Sequence, residues 1–168
     1  LYACHDVDQD EPVSADELLI ELDRLARQGD AKKFVQGVKQ LQERSPTEWF
    51  KQANVQERLG KYYGNFGQLS EAIRYYLDAI RNEGDEEKPT LRAVEQFINF
   101  KVRAAKKETD KKLGSMLLGE AIEYGEHLLK IGETSERLSI MGSAYKRLAE
   151  LEGSKKQITS WLKKASGY

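Results

Sequence analysis

The stretch VQERLGKYYGNFGQLSEAIRYYLDAIRNEG, residues 55 to 84, governs how the rest of the chain reads. Leu59, Gly60 and Tyr63 are followed, past Gly67, by Ala72, Tyr76 and Ala79. This is the mark of a two-helix repeat unit, with small residues where two helices must approach closely. One helix pair cannot bury its own apolar face, so the stretch predicts further copies on either side.

Composition agrees with a helical chain. Charged residues make up 33% and apolar residues 39% of 168 residues, and only three prolines occur, which favours a helix-rich protein over a disordered or sandwich-like one. The length is that of about one domain, sufficient for a core if the elements stack. No apolar run approaches the roughly 20 residues of a membrane span, and no basic segment precedes an apolar one at the N-terminus, so neither a membrane association nor a secretory signal is expected. Cys4 is the only cysteine, which excludes an intramolecular disulfide and fits a reducing compartment; a cytoplasmic location is the expectation. The net charge is −1, yet residues 1 to 23 hold eight Asp or Glu and no Lys or Arg, leaving a mildly basic body. Its lysine-rich segment around Lys101, Arg103, Lys106, Lys107, Lys111 and Lys112 reads as a solvated face.

Residues 1 to 14 lack helical period and contain Pro12, so they read as an acidic tail or linker. Asp6, Asp8, Asp10 and Glu17 fall at calcium-loop spacing, but Glu11 occupies the position that needs glycine and no helix has room to precede the loop. The tail is therefore read as solvated, with no metal. Ser14 and Glu17 form a capping box that starts a helix. Leu18, Leu22 and Leu25 continue it, Gly29-Asp30 stop it, and a second helix from Ala31 to Arg44 ends at Ser45-Pro46.

Residues 47 to 84 form the clearest pair, whose first helix is expected to begin near Thr47 and to include Trp49 and Phe50. A third pair spans 89 to 132, with helices from Pro89 to Lys107 and from Leu113 to Ile131, closed by Gly132. A fourth spans 134 to 168: Met141, Gly142 and Tyr145 repeat the Leu-Gly-x-x-Tyr spacing, and Ile158, Leu162 and Ala165 offer the apolar positions of its second helix.

The spacing at residues 53 to 84 resembles the 34-residue tetratricopeptide repeat, lacking only its usual Trp, where Gln56 stands, and its usual Pro, where Gly84 stands. The resemblance implies an all-α fold, a right-handed α-α superhelix of about four helix pairs, residues 15–46, 47–84, 89–132 and 134–168. ERLSIMGSAYKRLA at 136 to 149, with LRAVEQFINFKVRAA at 91 to 105, further resembles the repeat region called the TRAFs-binding domain. That family includes the central regulatory region of apoptosis signal-regulating kinases and bacterial proteins carrying a caspase-like CHAT protease. It implies a regulatory scaffold within a larger protein and supplies no catalytic residues.

In such repeats the first helix of each pair lines a concave groove. Carried over to this sequence, the groove positions are Asn54, Glu57, Lys61, Gly64 and Asn65, then Arg92, Glu95, Asn99, Val102 and Arg103, then Glu136, Ser139, Ser143, Lys146 and Arg147. The partner-binding candidates among them are Lys61, Asn65, Arg92, Asn99, Arg103, Ser143, Lys146 and Arg147. Their amide and guanidinium donors suit an extended acidic peptide or a partner helix. Glu57 and Lys61 depart from the carboxylate clamp of chaperone-binding repeats.

Catalysis finds little support in these residues. Cys4-His5-Asp6 sit in the tail, His127 lies on a helix, and no zinc-ligand spacing occurs, so neither an enzyme nor a cofactor is expected. The basic segments lack the interleaved aromatics of a nucleic-acid interface. The expected partner is a protein or peptide; a homo-oligomer formed through the last helix around Trp161 is the alternative reading.

Overall fold

The computed structural model describes residues 14–82, 91–151 and 155–167. Among these residues the fold is all-helical, and no helix is long and apolar enough to cross a membrane. The acidic tail, with Asp6, Asp8, Asp10 and Glu11, lies outside the described residues, as do Gly84 and Pro89. The chain divides into two compact units, residues 1–51 and 52–168.

In the first unit, α1 (Ala15–Arg27) starts where Ser14 Oγ accepts from the Glu17 amide at 3.2 Å, half of the capping box expected there. Gly29 turns the chain with φ +71°, a conformation that only glycine adopts cheaply, and the Asp30 carboxylate caps α2 (Ala31–Arg44) through the amides of Lys32 and Lys33. Leu18, Leu22 and Leu25 of α1 and Phe34, Val38 and Leu41 of α2 are buried, so the two apolar stripes read in the sequence form the core of this unit. Gly37 lets α2 approach closely: a Cβ there would lie 2.7 Å from the Leu25 methyl groups.

The helix expected to run continuously from Thr47 is broken in two. Five residues form α3 (Thr47–Lys51), Gln52 turns extended at ψ 136°, and α4 (Ala53–Asn65) starts afresh. The break falls where the repeat spacing places its first position, so the apolar Trp49-Phe50 pair belongs to a separate short turn of helix, not to the repeat helix.

In the second unit, α4 packs against α5 (Leu69–Arg81), α5 against α6 (Leu91–Lys107), α6 against α7 (Lys111–Ile131), α7 against α8 (Ser135–Leu151), and α8 against α9 (Lys155–Ala165). Leu59, Gly60, Tyr63, Ala72, Tyr76 and Ala79 are all buried, as the spacing requires. Gly60 admits the Tyr76 ring, which would sit 2.8 Å from a Cβ, and Tyr63 stacks on Tyr75 at 5.2 Å. Gly67 makes the α4–α5 turn at φ +76°.

The second helix of the third pair begins at its capping residue. Asp110 accepts from the amides of Lys112 and Leu113, which starts α7 at Lys111, two residues ahead of the expected Leu113. Thr134 Oγ1 accepts from the Arg137 amide at the head of α8. In α9 the expected inward position Leu162 is instead 46% exposed, and Trp161 faces inward, stacking on Tyr145 at 5.6 Å. Ile158 and Ala165 are half-buried as the spacing expects, so only the middle inward position of α9 differs, taken by Trp161 in place of Leu162.

Candidate functional site

The first helices α6 and α8 touch each other directly as well as through α7. Glu95 of α6 meets Arg137 of α8 at 2.7 Å, and further along Ile98 shares a small apolar space with Ile140 and Met141. The two helices therefore lie side by side and run in the same direction. On the other flank the Phe100 ring fills the space at Gly64 of α4, where a Cβ would come within 2.2 Å of it, and stacks on Tyr76 at 5.7 Å. Near the start of α6, Arg92 and Glu57 of α4 both act on the Tyr76 hydroxyl. Gly64 with Phe100 is thus the point where α4 and α6 approach.

Each of these helices keeps one polar stripe in solvent. On α4 it contains Asn54, Lys61 and Asn65; on α6, Arg92, half-buried Asn99, and Arg103; on α8, Ser139, Ser143 and Lys146, with Arg147 half-buried beside them. The α6 stripe lies between two buried flanks, Ala93, Phe97 and Phe100 on one side and Ile98, Val102 and Ala105 on the other. Burial of both flanks fixes the helix in rotation and leaves Arg92, Asn99 and Arg103 as its outward face. The Arg103 guanidinium lies 5.0 Å above the Phe100 ring, and the Lys61 ammonium lies 5.6 Å from Tyr62, so both cations are held near their helices by aromatic faces. The Arg147 Nε is buried with no hydrogen-bond partner among the described residues.

Three of the fifteen groove positions carried over from the repeat pattern face inward instead. Val102 is 5% exposed, Gly64 is occupied by the Phe100 ring, and Glu95 is held by Arg137. Packing of α6 on both sides draws Glu95 and Val102 inward, narrowing its open face to a single stripe, and puts its Phe100 ring over Gly64 of α4. The lysine-rich segment is also not one face. Lys101 is buried, its ammonium on the Glu120 carboxylate and 5.0 Å from the Phe97 ring, whereas Arg103, Lys106, Lys107, Lys111 and Lys112 are exposed.

Burial pushes the Tyr76 hydroxyl up to about 12, with the Glu57 carboxylate raising it further and Arg92 opposing. Tyr63 is raised as well, by burial first and its neighbour Tyr75 second. Both phenols are therefore neutral at ordinary pH and serve as packing groups. His127 is exposed on α7, its Nδ1 2.8 Å from the Glu123 carbonyl. Among the described residues no three His, Cys, Asp or Glu side chains gather in a metal-binding group.

A cleft lies apart from these stripes, at positions with no role in the repeat pattern. Where α5 begins, α6 ends and α7 begins, a cleft of about 550 Å³ opens, floored by Leu69, Ile73, Ala104, Leu113 and Leu117 and edged by Glu71, Lys107 and Glu108. The signal for it was present in the apolar run Leu113, Met116 and Leu117, of which Leu113 and Met116 are exposed. No protein-family model and no curated protein sequence matches the chain.

Proposed function

We propose that this chain is a non-enzymatic protein-interaction module of the tetratricopeptide type, a regulatory scaffold that holds an extended acidic peptide or a partner helix along the polar stripes of α4, α6 and α8. In this reading α4–α5, α6–α7 and α8–α9 are successive repeats of a right-handed superhelix, α1–α2 is a further copy of the same pair, and the protein works in the cytoplasm. The observation that carries it is the α6 stripe, where Arg92, Asn99 and Arg103 stay open while both neighbouring faces are buried. In this reading the stripes of α4 and α8 flank that of α6, and their guanidinium, ammonium and amide groups match the carboxylates and backbone amides of a bound chain. The likeness of residues 91–105 and 136–149 to the TRAFs-binding repeats supports a regulatory rather than a catalytic role.

Affinity capture from the source cell with the wild-type chain and with the Asn99→Ala/Arg103→Ala variant tests the proposal. The partner retained by the wild type is expected to be lost from the variant at unchanged far-UV circular dichroism; equal recovery by both would remove this face from consideration. Self-association through α9 is the second reading, favoured by the exposure of Leu162 next to the Trp161 stack. Sedimentation over a range of concentrations separates the two, since a strict monomer excludes it.

A further inference from the structure

The sequence of α9, KKQITSWLKKA, holds four lysines and no acidic residue, and among the described helices it alone lacks a carboxylate side chain. Ile158, Trp161, Leu162 and Ala165 follow at three and four, an apolar arc about 100° wide, and Lys156 and Lys163 fall on the opposite face. This arc is only partly covered. Trp161 stacks on Tyr145 of α8 at 5.6 Å, yet Ile158, Trp161 and Ala165 are no more than half-buried and Leu162 is exposed. None of the described side chains of α9 is fully buried.

The seat of α9 on α8 is incomplete in its polar groups as well. The Trp161 indole Nε1 is shut off from solvent with no hydrogen-bond partner among the described residues. Docking therefore leaves a donor unsatisfied, a cost that any setting with an acceptor removes. Lys164 lies 5.2 Å from the Tyr145 ring and 5.3 Å from the Trp161 ring, and it reaches Glu126 of α7 only at 4.0 Å, the outer limit of an ion pair. Lys156 and Lys163 are exposed, and neither pairs with a carboxylate among the described residues. The helix is held by one aromatic stack, one long ion pair and partial apolar cover, which places it at the easily opened end of the fold.

We propose that α9 is a releasable membrane-surface helix, which leaves α8 and lies along an anionic phospholipid bilayer. Ile158, Trp161, Leu162 and Ala165 enter the boundary between headgroups and acyl chains, while Lys156, Lys163 and Lys164 meet lipid phosphates and carboxylates. Charge complementarity selects this occupant: a helix with four lysines and no acid is drawn to an anionic surface, and the same charge opposes pairing with α9 of a second copy. Tryptophan favours the headgroup level, where the indole N–H that lacks a partner on α8 finds oxygen acceptors. A helix of about three turns gives reversible attachment and needs no membrane-crossing segment. The polar stripes of α4, α6 and α8 take no part in it, so a chain held at a membrane keeps them free for a protein partner.

Co-sedimentation of the whole chain with phosphatidylserine/phosphatidylcholine vesicles, against phosphatidylcholine alone, is the test. Partition onto the anionic vesicles is expected to be at least about tenfold stronger, and to fall about tenfold between about 0.05 and about 0.5 M NaCl. Lys156→Glu/Lys163→Glu, both at exposed positions, is expected to abolish it at unchanged far-UV circular dichroism, and Asn99→Ala/Arg103→Ala to bind as the wild type. Release of the helix has its own readout. In Trp49→Phe, which leaves Trp161 as the sole tryptophan, brominated acyl chains are expected to quench the emission on vesicle binding. Equal partition onto both vesicle types, undiminished binding by the charge-reversal variant, or vesicle binding without quenching of Trp161 would each overturn the proposal. Loss of binding in the Asn99/Arg103 variant would do so too, by placing the lipid on the polar stripes. Binding of a polyglutamate peptide in the absence of any vesicle binding would likewise overturn it, by making the lysines of α9 a protein-facing patch.

Discussion

Arg137 of α8 donates from Nε to the Glu95 carboxylate of α6 at 2.7 Å and from Nη1 to the Gly132 carbonyl at 2.5 Å, with its side chain only 10% exposed. One guanidinium thus joins two first helices and also satisfies the open end of α7. An ion pair of this kind adds modestly to stability as a pair, because desolvation offsets most of the attraction, but losing one partner strands a buried charge. Arg137→Met is accordingly expected to lower stability by about 3 kcal/mol, and Glu95→Leu in addition to restore most of it. Urea unfolding monitored by circular dichroism gives both numbers; additive losses in the double variant would show that the two groups are not coupled.

Glycine positions in the second unit separate into packed and open. A Cβ on Gly64 would fall 2.2 Å from the Phe100 ring, while one on Gly119 of α7 meets nothing within 4 Å. Gly64→Ala should cost about 1 to 3 kcal/mol by overpacking, and Phe100→Leu in the same chain should relieve over half of that. Gly119→Ala should instead stabilise by about 0.5 to 1 kcal/mol, the helix-propensity gain alone. Thermal or urea midpoints of the three variants check the contrast, and equal effects at both glycines would refute the packing described for Phe100.

Much of this was legible in the sequence because the tetratricopeptide-type spacing is itself a record of packing. Leu59, Gly60, Tyr63, Ala72, Tyr76 and Ala79 are each buried, and the caps at Ser14 and Thr134 are hydrogen-bonding groups whose partners lie three residues away. What escaped was information held in contacts far apart along the chain. Lys101 reads as one more surface lysine until Glu120, nineteen residues on, comes beside it; Glu95 reads as a groove residue until Arg137 arrives, forty-two residues on. Similarly, Leu113 marks only a helix start in the sequence, and the meeting of three helix ends is what places it with Leu117 along a cleft.

Tyr76 supplies an alkaline test. Its raised value means that the folded chain resists losing this proton, so its contribution to stability is fully present below the ordinary phenol value of 10.0 and is lost as pH rises from there through about 12. The difference between wild-type and Tyr76→Phe absorbance titrations should show a phenol ionising near 12. Glu57→Gln should lower that value and Arg92→Gln should raise it. A midpoint for Tyr76 near 10 would contradict its placement against Phe100 and Glu57.

Acid exposes a different element. The Asp30 carboxyl is held below its ordinary 3.8 by the Lys33 amide first, with the Lys32 amide adding to it, so its cap is intact at pH 5 and above and is lost as pH falls below that ordinary value. Carbon-detected NMR titration should place the Asp30 midpoint below 3.8, and Asp30→Ala should reduce protection of the α2 amides at neutral pH. An unshifted midpoint would mean that α2 is not capped at Asp30.

The polar stripes carry the central claim, and backbone chemical-shift mapping of the isotopically labelled chain with its captured partner tests them most directly. The amides of Lys61, Asn65, Arg92, Asn99, Arg103, Ser143, Lys146 and Arg147 are expected to shift together on saturation, and Asn99→Ala/Arg103→Ala to weaken binding by about tenfold or more. Saturable binding that leaves those amides unshifted, with an undiminished affinity in the double variant, would contradict the account.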